Sequence, residues 1–192
     1  MKESDLIQRL REGDQESFKI LFEEFKLKVF NTCFSYLQHA EEAEEVTQDV
    51  FVEIYRSINH YKAEATLSTW IYRISVNKSL DFLRHRKRKK RSGLLISLFQ
   101  KESTKLQIDT PHFHHPGVIL ENKEKASILF KVINKLSDHQ KTAFILSQIE
   151  DFPQKEIAAV MKLSEKAVES LLQRAKTNLR KDLEIFNPNR RK

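Results

Sequence analysis

Between residues 60 and 91 the chain interleaves rings, an amide and cations: Tyr61, Lys62, Trp70, Arg73, Asn77 and Lys78, then seven cations in the eight positions 84–91, among them Arg84, Arg86 and Arg88. Rings set beside cations can stack on unpaired bases. Cations at this density repel one another and destabilise a bare helix end. A polyanion relieves that repulsion, and each neutralised phosphate releases condensed counterions. These residues therefore point to nucleic acid. The alternative, a solvated basic face or sorting signal, leaves the adjacent rings and amide unused. No nucleophile–base pair, phosphate-cradling glycine loop or metal-ligand set accompanies them, so catalysis is not expected. His112, His114 and His115 have no Cys or carboxylate at ligand spacing, and neither a metal nor a cofactor is expected.

A helix opening at Ser68-Thr69 would position these groups. At 100° per residue, Trp70, Arg73, Asn77, Arg84 and Arg88 share one stripe with Asp81, while Ile71, Ile74 and Phe82 form a second flank. Val76, Leu80 and Leu83 lie opposite. Such a helix is buried on more than one side and keeps one edge for a partner.

The 192 residues carry a net charge of +7, and removing the seven cations of 84–91 leaves basic and acidic side chains in balance. The excess charge belongs to one segment of an otherwise balanced surface. Three glycines, four prolines and long apolar periodicities indicate an all-α protein. No apolar run approaches the roughly 20 residues of a membrane span, and the polar N-terminus does not read as a signal peptide, so a cytoplasmic protein without membrane insertion is expected. The single cysteine, Cys33, sits in an apolar helical pattern and reads as a buried thiol.

Residues 4–38 read as two helices broken at Gly13-Asp14, the first capped by Ser4-Asp5. The second carries Phe18, Leu21, Phe22, Phe25, Val29, Phe30, Cys33, Phe34 and Leu37 at spacings of three and four. A third helix, 40–59, places Ala43, Val46, Val50, Phe51, Ile54 and Ile58 on one side. Glu41, Glu45, Gln48, Asp49 and Arg56 lie away from it. An acidic face beside a DNA-binding helix would repel phosphate, so it fits a protein partner with a basic surface.

Residues 92–120, with Ser92-Gly93 and the Pro-His-Phe-His-His-Pro-Gly run, read as a flexible linker. At about 3.3 Å per residue it reaches up to roughly 95 Å. Residues 121–192 read as a second helical domain. Within it, a short helix over 151–161, a turn at Lys162-Leu163 and a longer helix capped by Ser164 form a helix-turn-helix. On the last helix Val168, Leu171, Leu172, Ala175, Leu179 and Leu183 face inward. Lys166, Glu169, Ser170, Gln173, Arg174 and Thr177 face outward, with the composition of a major-groove reading face. The expected fold is two helical domains, an N-terminal bundle over 1–91 and a helix-turn-helix domain over 121–192, joined by the linker.

Two separated stretches resemble the extracytoplasmic-function group of bacterial RNA polymerase sigma factors in the sigma-70 family. Ala43-Glu-Glu-Val-Thr-Gln-Asp-Val-Phe51, Thr69-Trp-Ile-Tyr-Arg-Ile-Ser-Val-Asn77 and Asp81-Phe-Leu-Arg84 are similar to the family's region 2. Leu136-Ser137 through Phe144, Asp151-Phe-Pro-Gln-Lys-Glu-Ile-Ala158 and residues 164–176 are similar to its region 4. The resemblance implies a transcription-initiation factor that is not an enzyme. Residues 1–91 would bind core RNA polymerase through Glu45, Gln48, Asp49 and Arg56, docking on the clamp helices of its largest subunit. Tyr61, Lys62, Trp70, Arg73, Asn77 and Lys78 would hold unpaired bases of the −10 promoter element, with Arg84, Arg86 and Arg88 on phosphates. Lys166, Glu169, Ser170, Gln173, Arg174 and Lys176 would read the −35 element as duplex, with the flap region of the polymerase as a further partner. The linker would thread near the RNA exit path, and an anti-sigma factor is an implied partner. The sequence departs from the family at Glu169, commonly basic, and at Lys162, where such turns often have Gly. The rival is a stand-alone helix-turn-helix regulator binding duplex DNA without polymerase; it leaves the acidic helix 40–59 without a role.

Overall fold

The computed structural model describes residues 3–99 and 123–186, all of whose regular structure is helical. The first unit comprises α1 (Glu3–Arg11), α2 (Gln15–Leu37), α3 (Ala40–Ser57) with a 3₁₀ turn (Ile58–His60), and α4 (Leu67–Phe99). The second comprises α5 (Lys123–Ile133), α6 (Asp138–Gln148), α7 (Gln154–Met161) and α8 (Glu165–Phe186). His112, His114, His115 and most of the expected linker lie outside the described residues. No helix among the described residues is long and apolar enough to cross a membrane, and no group of three or more His, Cys, Asp or Glu among them could hold a metal ion.

Local chemistry sets the helix ends. Gly13 takes φ +80°, a conformation that costs glycine little, and Asp14 then caps α2 by accepting the Ser17 backbone N–H at 3.0 Å. That bond and a second from the Ser17 hydroxyl hold the Asp14 carboxyl below its usual range. The α2 helix closes at Gln38, which adopts left-handed φ 56° while its side-chain amide donates to the carbonyls of Phe34 and Ser35. His39 caps α3 through Nδ1, at 3.4 Å from the Glu42 N–H.

Several boundaries differ from the sequence expectation. Ser4 and Asp5 lie inside the first turn of α1, not at its cap. The α4 helix opens at Leu67, capped by Thr66, whose hydroxyl accepts the Thr69 N–H at 3.1 Å. It also runs on through Ser92-Gly93 to Phe99, beyond the basic tract. A glycine inside a helix costs only about 1 kcal/mol and does not by itself end one. Pro153 stands at the cap of α7 instead of its first helical position.

The α2, α3 and α4 helices pack pairwise around Leu21, Phe25, Val29, Cys33, Val46, Val50, Ile54 and Ile71, all nearly inaccessible to solvent. Each such aliphatic or aromatic side chain contributes about 1.5–3 kcal/mol on burial. The Cys33 thiol is fully buried there, and desolvation pushes its pKa up to about 11, so it stays protonated. In the second unit α6, α7 and α8 enclose Ala143, Ile145, Leu146, Ile157, Val168, Leu172 and Ala175. The buried cluster is continuous between the units because α4 packs against α7.

Candidate nucleic-acid interface

The helix-turn-helix is built as the sequence requires. Lys162 takes the left-handed conformation (φ 55°, ψ 44°) that ends α7, a position where glycine would be unstrained. The Leu163 N–H donates to Ala158 O at 3.0 Å, and Ser164 Oγ accepts the Ala167 N–H at 3.2 Å to start α8. With Val168, Leu172, Ala175 and Leu179 turned inward, Lys166, Glu169, Gln173, Arg174, Lys176 and Thr177 are exposed and Ser170 is half-buried. Gln140, Gln173, Arg174, Thr177 and Asn178 line a shallow groove between α6 and α8, where Asn178 Nδ2 donates to Gln140 Oε1 at 3.1 Å. Cations, amides and hydroxyls on one face can contact phosphates and read base edges.

The second face is formed by residues 61–66 and α4. Trp70 is half-buried, while Lys62, Asn77, Arg84 and Arg88 are exposed. Tyr61 is not available in the way the sequence implied: it is buried, its hydroxyl donates to Ala65 O, and its ring lies 5.2 Å from that of Trp70. Arg11 Nη2 donates to the Tyr61 carbonyl at 2.6 Å, tying the loop to α1. Tyr61 shapes the loop and supports Trp70.

Most of the cations on this face have protein partners. Lys78 pairs with Glu53 of α3 at 2.9 Å, and Arg86 with Glu42 at 2.5 Å. Arg84 bridges Asp81, at 3.0 Å, and Asp138 of α6, at 2.8 Å; these acids hold its guanidinium charged more firmly than usual. Arg73 donates to two backbone carbonyls of α7, Ala159 O at 2.7 Å and Val160 O at 3.2 Å. Beside it the Tyr72 ring meets Phe152 edge-on, with centroids 4.6 Å apart. Burial, with Glu150 and Glu156 nearby, pushes the Tyr72 hydroxyl up to about 12. Glu150 completes this contact by accepting the Ser35 hydroxyl at 3.0 Å; burial raises its carboxyl above the ordinary range.

A third face lies on α3. Glu45, Gln48, Asp49 and Arg56 are all exposed, and Phe51 is buried, its ring against Phe18 and Phe22. Val52 (46% accessible) and Tyr55 (57%) are exposed on the same stripe. Sequence reasoning missed them, although Val52 lies three and four residues from Asp49 and Gln48 and Tyr55 three from Val52, a spacing that was the available signal.

The family model for Sigma-70 region 2 matches residues 21–89, and that for Sigma-70 region 4 matches residues 127–179, together well over half of the chain. The chain belongs to the extracytoplasmic-function group of the sigma-70 family. Relatives align over nearly their whole lengths. The RNA polymerase sigma-H factor of Pseudomonas aeruginosa is 24% identical, covering 95% of this chain and 94% of the relative. The ECF RNA polymerase sigma factor SigW of Bacillus subtilis is 26% identical, covering 92% and 94%. The ECF RNA polymerase sigma-E factor of Escherichia coli K12 is 25% identical, covering 89% and 88%. The fold of this sigma factor is similar to CnrH solved with the cytosolic domain of CnrY (TM-score 0.65, 21% identity, 95% and 97% coverage). It is also similar to RpoE solved with the anti-sigma factor NepR from Bartonella quintana (TM-score 0.60, 19% identity, 88% and 98% coverage). Members of the family are DNA-binding initiation factors and not enzymes.

Proposed function

We propose that this sigma factor directs core RNA polymerase to promoters by two separate grips, with residues 1–91 and 121–192 acting as regions 2 and 4 on either side of a linker within 92–120, whose first residues, to Phe99, continue α4. Lys166, Glu169, Ser170, Gln173, Arg174 and Lys176 hold the −35 element as intact duplex. Lys62, Trp70, Arg73, Asn77 and Lys78 hold unpaired bases of the −10 element, Tyr61 supports Trp70 from beneath, and Arg84, Arg86 and Arg88 take phosphates. The observation that carries this reading is the exposed polar and cationic face of α8 in the same chain as the ring-and-cation edge of α4. Capturing flipped bases offsets unstacking, which costs a few kcal/mol per step, so melting requires no nucleotide hydrolysis.

Polymerase docks on α3 through Glu45, Gln48, Asp49 and Arg56. Val52 and Tyr55 supply the apolar contact that charges alone lack, since interface energy concentrates in buried aromatic and aliphatic anchors. The second unit meets the flap region, and the protein acts in the cytoplasm with polymerase. The anti-sigma complex of the Bartonella relative supports an anti-sigma factor as a further partner here.

Run-off transcription with purified core polymerase on a promoter library tests the proposal. Start-site selection that depends on this chain is the expected result. Tight binding to a palindromic duplex without polymerase, and no start-site selection with it, would replace the reading with that of a stand-alone regulator.

A further inference from the structure

The loop 61–66, which carries Lys62 and leads into Trp70, is tied at both ends to α1. Arg11 Nη2 donates to the Tyr61 carbonyl at 2.6 Å, and Glu3 Oε1 accepts the Leu67 N–H at 3.2 Å. Leu67 opens α4, so its N–H is one of the donors a helix leaves unsatisfied at its positive end, where a carboxylate is favoured. Thr66 takes the Thr69 N–H and Glu3 takes that of Leu67. Glu3 and Arg11 are the first and last residues of α1 and, with Ile7, stand four apart on one stripe of it. Leu6, Ile7 and Leu10 are buried where α1 packs on α2 and the 3₁₀ turn. The helix is thus a stiff spacer, about 12 Å between its end Cα atoms. The loop it spans folds back on itself: the Tyr61 hydroxyl reaches Ala65 O, and Ala63 takes left-handed φ 55°, which alanine rarely adopts. At the tip Lys62, Ala63 and Glu64 are exposed.

We infer that α1 is a clamp for the strand-capture loop, with Glu3 and Arg11 as positioning residues that set base preference at the −10 element without touching a base. The inference rests on the −10 reading of this edge and adds the residues that hold it in shape. Bases are discriminated by groups held at fixed positions against their edges. A loop released at one end samples other shapes, and a wrong base then finds a partner that the fixed loop denies it. Both clamp side chains lie at the surface, outside the buried core, so their loss loosens the loop and leaves the bundle intact. Charge alone predicts the opposite sign for Glu3, since removing an anion beside DNA tightens binding.

The test uses the full chain and the variants Arg11→Ala, Glu3→Ala and Glu3→Gln. On free protein, acrylamide quenching of Trp70, the sole tryptophan, reports on the loop, because the Tyr61 ring lies 5.2 Å from it. Both alanine variants should be quenched more strongly than the wild type while circular dichroism shows them folded; either position serves if the other variant fails to fold. With core polymerase, run-off transcription on a library of single-base promoter variants measures base preference. The alanine variants should lose about three- to tenfold in discrimination at −10, the range for one hydrogen bond, and none at −35. Glu3→Gln keeps an oxygen acceptor for the Leu67 N–H and should match the wild type in both readouts. Wild-type quenching in both alanine variants, or raised quenching with −10 preference intact, would overturn the inference. So would a Glu3→Gln variant as impaired as Glu3→Ala, or an equal loss on every sequence with a shallower salt dependence in Arg11→Ala, the signature of a phosphate contact. Quenching involves no DNA, so it decides the clamp even if the wild type directs no initiation, a result that would count instead against the promoter reading.

Discussion

Tyr61 and Trp70 form a tilted ring pair, centroids 5.2 Å apart and planes at 45°, with Tyr61 buried and Trp70 half-buried at the edge of the protein. The pair divides support from contact. Trp70→Ala should leave polymerase binding intact and reduce permanganate reactivity of promoter thymines, because the capturing ring is gone. Tyr61→Phe keeps the ring and loses the bond to Ala65 O, so it should cost about 0.5–1.5 kcal/mol in urea unfolding with promoter opening preserved. Undiminished thymine reactivity in Trp70→Ala would remove the ring from strand capture.

On α8, Arg174 is exposed at the lip of the groove with Gln173 and Thr177. Arg174→Ala should weaken binding of the upstream duplex by about 1–3 kcal/mol, and by different amounts on different sequences, if it reads a base. A uniform loss on all sequences, with a shallower salt dependence, would make it a phosphate contact. Glu169→Gln, which removes an anion facing DNA, should tighten binding generally and relax preference at the one base pair it faces. Fluorescence anisotropy across a set of single-base variants measures both.

The exposed apolar pair on α3 makes a separate prediction. Tyr55→Ser should weaken association with core polymerase by about 1–2 kcal/mol, within the usual range for truncating an anchor residue. The free chain should stay folded and lose only about 0.5–1.5 kcal/mol, the worth of the edge-on contact of the Tyr55 ring with Phe18 at 5.5 Å, since Tyr55 is more than half exposed. Asp49→Lys should weaken association as well, and its effect should shrink as salt is raised. Equal polymerase affinity in Tyr55→Ser and wild type would confine the interface to the charged residues.

Lys141 is almost wholly buried in α6, where its ammonium donates to Asn134 Oδ1 at 2.9 Å. Desolvation, then the nearby Lys87, lowers its pKa from 10.5 to about 8, against the opposing pull of Asp138. Between those two pH values the unfolded chain binds more protons than the folded one, so stability rises as pH climbs from about 8 towards 10.5. Below about 8 the full penalty applies, on the order of 3 kcal/mol. Lys141→Met should therefore raise unfolding free energy at pH 7 by about 1–3 kcal/mol and flatten the alkaline rise. Urea titrations of both proteins at pH 7 and pH 10 decide it; a wild type that loses ground to the variant as pH rises would contradict the assignment.

Much of this protein is written locally. Apolar residues at spacings of three and four specify which side of α2, α3 and α8 turns inward, and the Gly13-Asp14 and Lys162–Ser164 signals break and restart helices within a few residues. Because α8 keeps one face in solvent, its outward residues could be named from sequence. Where helix ends depend on nothing more local than a glycine, as at Gly93, the sequence misleads, since a glycine lowers helix stability without forbidding it.

Only the tertiary structure decided the fate of side chains whose partners lie far away in the chain. Arg73 meets carbonyls 86 and 87 residues distant, Arg84 a carboxylate 54 residues distant, and Ser35 a carboxylate 115 residues distant. Helical periodicity places a residue on a stripe, but which stripes cover one another follows from how whole helices pack. Tyr61 and Lys141 are therefore buried, and Val52 and Tyr55 exposed, for reasons no short window of sequence contains.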